Sequence, residues 1–120
     1  MKTLLTSLLL LCSFGVFAMS TMSMTVSAKK KEFSVQLPAN PTTGFQWSLI
    51  NFDKKLVKMT SKKYIVPKTN LIGAGGKMVF NFALVRRKSY PQKTQITFVY
   101  ARGWEKNTSS TKQVIIHFKN

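Results

Sequence analysis

The sequence predicts an all-β domain, an immunoglobulin-like antiparallel β-sandwich of about seven strands. Three observations carry that expectation. Short runs alternate apolar and polar residues with the two-residue period of a half-buried strand. Turn-forming residues interrupt them at close intervals. Beyond the N-terminal leader, no stretch shows a helical apolar stripe.

The strands follow in order. Phe33, Val35 and Leu37 alternate with Ser34 and Gln36, and Phe45, Trp47 and Leu49 alternate with Gln46 and Ser48. Leu56–Thr60, which carries Lys58, and Tyr64–Val66, which follows Lys62 and Lys63, read as short or edge strands, because lysine on an edge discourages pairing with other chains. Met78, Phe80, Phe82 and Leu84 share one face of the next strand. Ile96, Phe98 and Tyr100 mark another, and Val114, Ile116 and Phe118 mark the last. Three shaped loops separate these runs: Asn40–Phe45, Asn70–Gly76 and Arg102 to about Ser110. In an up-and-down sandwich alternate loops emerge at one end, so these three are expected to form one recognition surface on a rigid scaffold.

The chain has 120 residues, enough for one domain after removal of a leader. Lys2 and the apolar run Leu4–Phe17 read as a secretory signal peptide over 1–18, with Val16-Phe17-Ala18 as the cleavage signal. Val26-Ser27-Ala28 is an alternative one, giving cleavage after 28. The apolar run falls short of the ~20 residues of a membrane-spanning helix. Residues 19–28 are rich in Ser, Thr and Met and read as a linker, leaving 29–120 as the domain. An exported protein, periplasmic or secreted, is expected. Cys12 is the only cysteine and lies in the leader, and Leu11 before it does not suit a lipidation signal. The mature domain is therefore expected to hold no disulfide, thiol chemistry or cysteine metal site.

Nineteen Lys and Arg stand against three Asp and Glu, for a net charge of +16. Such a basic protein suits nucleic acid, anionic lipid, anionic glycan or an acidic protein. Most lysines are scattered, which fits a solvated surface; only Lys29-Lys30-Lys31 and Arg86-Arg87-Lys88 form runs. Catalysis finds little support. His117 is the sole histidine and falls on the outward face of its strand. Glu32, Asp53 and Glu105 are the only carboxylates, and no Ser or Thr has a candidate base. No enzyme activity, metal or cofactor is expected. Asn107-Thr108-Ser109 is a glycosylation sequon by pattern, relevant only in a eukaryotic secretory pathway.

The first loop carries the most information. Pro41 fixes its φ, Gly44 admits a positive φ, and Thr42 and Thr43 are displayed between them. The second loop offers Gly73-Ala74-Gly75-Gly76, where backbone can lie close against a partner. The third sets Arg102 and Trp104 about Gly103, the composition of an interface hot spot.

Taken together, Asn40-Pro41-Thr42-Thr43-Gly44-Phe45, Gly73-Ala74-Gly75-Gly76 and Arg102-Gly103-Trp104 resemble, in order and spacing, the chagasin family of cysteine-peptidase inhibitors. The resemblance spans nearly all of 29–120. It implies a reversible, tight-binding inhibitor of papain-like (cathepsin-type) cysteine peptidases, whose three loops wedge into the catalytic cleft. By that resemblance Thr42 and Thr43 lie over the catalytic Cys and His, the glycine loop runs along the substrate groove, and Arg102 and Trp104 grip the far side. A monomer with no membrane span and no obligatory nucleic acid is implied. The third motif departs from the family pattern, which has Pro between the Arg and the aromatic residue. Gly103 leaves that loop more freedom, raising the entropy lost on binding by ~0.5–1 kcal/mol. The alternative from charge alone is an exported basic binding module for an anionic polymer or surface.

Overall fold

In the computed structural model, residues 18–68, 75–103 and 105–119 are described. Seven strands run in chain order: β1 Ala18–Ser27, β2 Glu32–Ala39, β3 Phe45–Asn51, β4 Val57–Ile65, β5 Gly76–Leu84, β6 Lys93–Arg102 and β7 Glu105–Lys119. A four-stranded sheet has the order β1-β7-β6-β3 and faces a three-stranded sheet ordered β2-β5-β4. All pairs are antiparallel except β1 with β7. This is the expected all-β sandwich with an immunoglobulin-like arrangement.

Alternation explains which face each strand buries. Phe33, Val35 and Leu37 of β2 and Phe80 and Phe82 of β5 point inward, opposite Ile96 and Phe98 of β6 and Val114 and Ile116 of β7. Phe80 and Phe98 meet across the two sheets with ring centroids 4.8 Å apart. Phe82 stacks on Phe33 at 5.2 Å and meets the edge of Phe98 at 6.4 Å. Offset and edge contacts of this kind add about 0.5–1.5 kcal/mol per pair to the burial of the rings. His117 faces outward and is exposed.

Three sequence expectations change. The segment 19–28, expected as a linker, forms β1 and pairs with β7 from Ala18↔Ser110 to Ser27↔Lys119. Its Met22, Met24 and Val26 alternate with Ser23, Thr25 and Ser27, and Val26 enters the core. The two short strands expected around residues 56–66 are one strand, β4, with a bulge between Met59 and Ser61. The bulge inserts a residue and breaks the period of two. The loop expected from Arg102 to about Ser110 is also shorter, because β7 already starts at Glu105. Its polar residues are held by backbone pairing, with Tyr100↔Ser110 on the β6 side and Ala18↔Ser110 on the β1 side.

Seven strands running up and down place the β2–β3, β4–β5 and β6–β7 connections at one end. The β1–β2, β3–β4 and β5–β6 connections lie at the other. Hydrogen bonds tie this second pole together: Leu84 N donates to Lys31 O and Val85 N donates to Leu56 O. Tyr90 closes it by stacking on Phe118 at 5.1 Å and donating its hydroxyl to Val85 O at 2.6 Å.

Candidate functional site

The β2–β3 connection crosses from one sheet to the other, and its geometry follows from its sequence. Asn40 is extended at φ −136°, and its side chain caps a single 3₁₀ turn over Pro41–Thr43. Proline at the first turn position costs no hydrogen bond, because that N–H has no partner within the turn. Thr42 donates to Asn40 Oδ1 through both its backbone N, at 3.3 Å, and its hydroxyl, at 2.6 Å. The Thr43 hydroxyl donates to Asn40 O at 2.7 Å and accepts from Phe45 N at 3.4 Å. Gly44 ends the turn at φ 84°, the left-handed region where other residues are strained. Pro41, Thr42 and Thr43 are all exposed.

Aromatic residues hold this turn from below. Phe45 stacks on Tyr100 with centroids 5.0 Å apart, and Trp47 packs against Tyr100 at 4.7 Å, tilted by 33°. Trp47 Nε1 donates to Pro38 O at 2.8 Å, tying β3 back to the strand that enters the turn. Arg102 lies over the Phe45 ring at 4.4 Å, so the base of the third loop rests on the base of the first.

Two notches flank the turn. One, about 310 Å³, joins Asn40 to Gly75, Gly76 and Tyr100. The other, about 390 Å³, joins Gly44 to Arg102 and Gly103. The described parts of all three motifs are therefore neighbours at one end. Gly73, Ala74 and Trp104 lie outside the described residues.

Two tyrosine hydroxyls, which sequence reasoning passed over, anchor this end. Tyr100 Oη accepts from Asn40 N at 3.1 Å, and Tyr64 Oη accepts from Gly76 N at 3.1 Å. Each fixes a residue where a strand meets a loop. Tyr100→Phe keeps the ring stack and leaves the half-buried Asn40 N–H without that acceptor. A loss of about 1 kcal/mol in chemical unfolding is expected; no loss would show that the bond does not hold the turn.

Glycine is required at position 76. A Cβ there would collide with Ile65 O and come within 2.8 Å of Tyr64 Oη. Gly75 is also confined, since its Cβ would lie 3.1 Å from Ala39 O. Gly103 differs, for a Cβ there would meet open space. Gly76→Ala is expected to destabilise the fold by about 1–3 kcal/mol in urea titration, because backbone must shift to admit the methyl. An unchanged midpoint would contradict the close approach.

Among the described residues no three His, Cys, Asp or Glu side chains gather to hold a metal ion. No helix among them is long and apolar enough to cross a membrane.

Comparison with known proteins names the class. The model of the Chagasin family peptidase inhibitor I42 matches residues 26–118, so the chain belongs to the chagasin family of peptidase inhibitors and is not an enzyme. Chagasin from Trypanosoma cruzi is 27% identical over 89 residues, covering 71% of this chain and 77% of that protein. The solution structure of amebosin superposes with a TM-score of 0.57 at 22% identity, covering 85% of this chain and 98% of that one. The cysteine protease inhibitor EhICP2 from Entamoeba histolytica gives a TM-score of 0.57 at 19% identity, covering 82% and 97%. These two structures share the fold.

Proposed function

We propose that this protein is a reversible, tight-binding inhibitor of papain-like cysteine peptidases. In this reading the Asn40–Phe45 turn enters the catalytic cleft between the β4–β5 and β6–β7 loops. Family membership supports inhibition of a peptidase. The cysteine class is carried over from EhICP2, which is a cysteine protease inhibitor, and from the motif resemblance.

The observation that carries the wedge is the turn itself. Its two threonines are exposed, yet their hydroxyls are tied to Asn40 and its ends are clamped by Tyr100 and Gly44. A turn fixed before binding loses little entropy when it docks. Its 3₁₀ backbone also differs from the extended strand that a peptidase cleaves, so the loop obstructs the cleft without serving as a substrate. Gly75 and Gly76 bring backbone close to the turn on one side, and Arg102 braces it on the other.

Titration of active-site-counted papain tests the reading. Stoichiometric, reversible inhibition by a monomer, surviving high salt, is expected. A folded sample that leaves papain and a cathepsin fully active would overturn it. Trp104→Ala is expected to cost about 2 kcal/mol of affinity as a hot-spot residue. A loss below ~0.5 kcal/mol would make it a scaffold residue instead.

Export is part of the proposal. Cleavage after Ala18 would leave all of β1 except its first residue, whereas cleavage after Ala28 would remove the strand with its buried Val26. We therefore place the cut after Ala18. N-terminal sequencing of the exported protein is expected to begin at Met19, and a start at Lys29 would refute this placement.

A further inference from the structure

The two basic runs of the sequence are far apart in the chain, yet the fold brings them together. Lys29, Lys30 and Lys31 lie in the β1–β2 connection, and Arg86 and Arg87 lie near the start of the β5–β6 connection. All five line one cavity of about 450 Å³ at the pole opposite the three loops. Glu32 is the only carboxylate in that lining. The five cations are exposed, and none is ion-paired with another described residue.

The cleft is also shaped. Lys30 N donates to Ser27 O at 3.0 Å, Lys29 N donates to Ser27 Oγ at 3.2 Å, and Leu84 N donates to Lys31 O at 2.9 Å. Arg87 is held at both ends of its guanidinium by neutral carbonyls: Nε donates to Ser89 O at 3.1 Å and a terminal nitrogen to Lys55 O at 3.4 Å. Those bonds fix its position and leave its charge uncompensated. Like charges gathered in a concave site repel one another, and a concave wall focuses their field outward. Because they line one cavity, their fields add there.

We infer that this pole is a second binding site, for an acidic polysaccharide bearing sulfate or carboxylate groups. The volume falls in the ~300–1,000 Å³ range of ligand sites. The lining favours a sugar polyanion over the other polyanions. The exposed large apolar side chains among the described residues are Met19, Ile50, Met59, Ile65 and Val66, and none lines this cleft. It therefore lacks the apolar anchor by which a protein enters a lipid interface. Its one aromatic, Tyr90, is half-buried and stacked on Phe118, so it lacks the row of aromatic faces on which successive bases stack. A sulfated glycan needs neither. It presents charges along a polar chain, matched by cations that two separate loops bring to one cavity. Because the site is at the far pole, it leaves the three loops free, and the inference does not depend on which peptidase they meet.

The test compares two charge-matched variants. Lys29→Gln/Lys30→Gln/Arg86→Gln neutralises the cleft, and Lys62→Gln/Lys63→Gln/Lys112→Gln removes the same charge elsewhere. Binding of a heparin-derived octasaccharide is measured across a salt series, beside a short DNA duplex and phosphatidylglycerol vesicles. The native protein is expected to prefer heparin. The cleft variant is expected to lose roughly tenfold or more in affinity, with a shallower salt dependence. The distal variant is expected to lose about twofold or less. Thermal melting of both variants checks that they are folded. Independently of any variant, heparin is expected to shift amide resonances chiefly within 28–32 and 84–90 of the native protein. Equal losses in the two variants, shifts spread over the whole surface, or preference for DNA or vesicles would overturn the assignment.

Discussion

Thr43→Asp is expected to weaken inhibition of papain by about 2–5 kcal/mol, roughly 30-fold or more, while the domain stays folded. Two effects act together. A carboxylate cannot donate to Asn40 O as the Thr43 hydroxyl does at 2.7 Å, so the acceptor pair repels and the turn opens. In the complex the new charge would also sit desolvated in the cleft with no designed partner, the most costly way to fill an interface. Thr43 is exposed in the free protein, so the melting temperature should change little. Thr43→Ser keeps the donor and is the matched control. It should inhibit within a few-fold of the native protein. A Thr43→Asp protein that inhibits as well as the native one would place Thr43 outside the contact.

Removal of β1 is expected to be the most damaging change to the fold. A chain that starts at Lys29 lacks the whole ladder from Ala18↔Ser110 to Ser27↔Lys119. It exposes the edge of β7 and loses Val26, which is 3% exposed, with Met22 and Met24 that pack against the core. Burying a valine side chain alone contributes about 1.5–3 kcal/mol, so a total loss on the order of 3 kcal/mol or more follows. The newly bare edge would also invite pairing between molecules. Urea unfolding of the chains from Met19 and from Lys29 measures the difference. Equal stability would mean that β1 is an ornament on β7 and would reopen cleavage after Ala28.

Much of the sandwich was legible because its strands bury one face. Phe33-Val35-Leu37 and Val114-Ile116-Phe118 announce themselves by alternation, and both runs lie in the core. Other parts were hidden for identifiable reasons. β1 follows the apolar run Leu4–Phe17, and its inward residues are mostly methionine among Ser and Thr, which reads as linker composition. β4 lost its period at the bulge between Met59 and Ser61. The start of β7 is polar on both faces, and backbone pairing on both edges holds its Ser110 and Thr111 in place.

The three-loop end shows the same division. Pro41 and Gly44 could be read directly, since each fixes its own backbone, and Gly44 does take a positive φ. The tyrosine anchors could not. Tyr64 reaches Gly76 and Tyr100 reaches Asn40 only through the strand register and sheet order. The meeting of Lys29–Lys31 with Arg86 and Arg87 depends on topology in the same way. In the sequence they are two short runs more than fifty residues apart, and only the up-and-down path of the chain brings them to one pole.

The central claim is that the Asn40–Phe45 end acts by occupying the catalytic cleft of a cysteine peptidase. The most direct measurement compares its binding to active papain with its binding to papain whose catalytic cysteine carries a bulky peptidyl alkylating group. A wedge that fills the cleft predicts tight binding to the active enzyme and loss of nearly all affinity for the blocked one. Equal affinity for the two forms would contradict the account, because the contact would then lie away from the cleft.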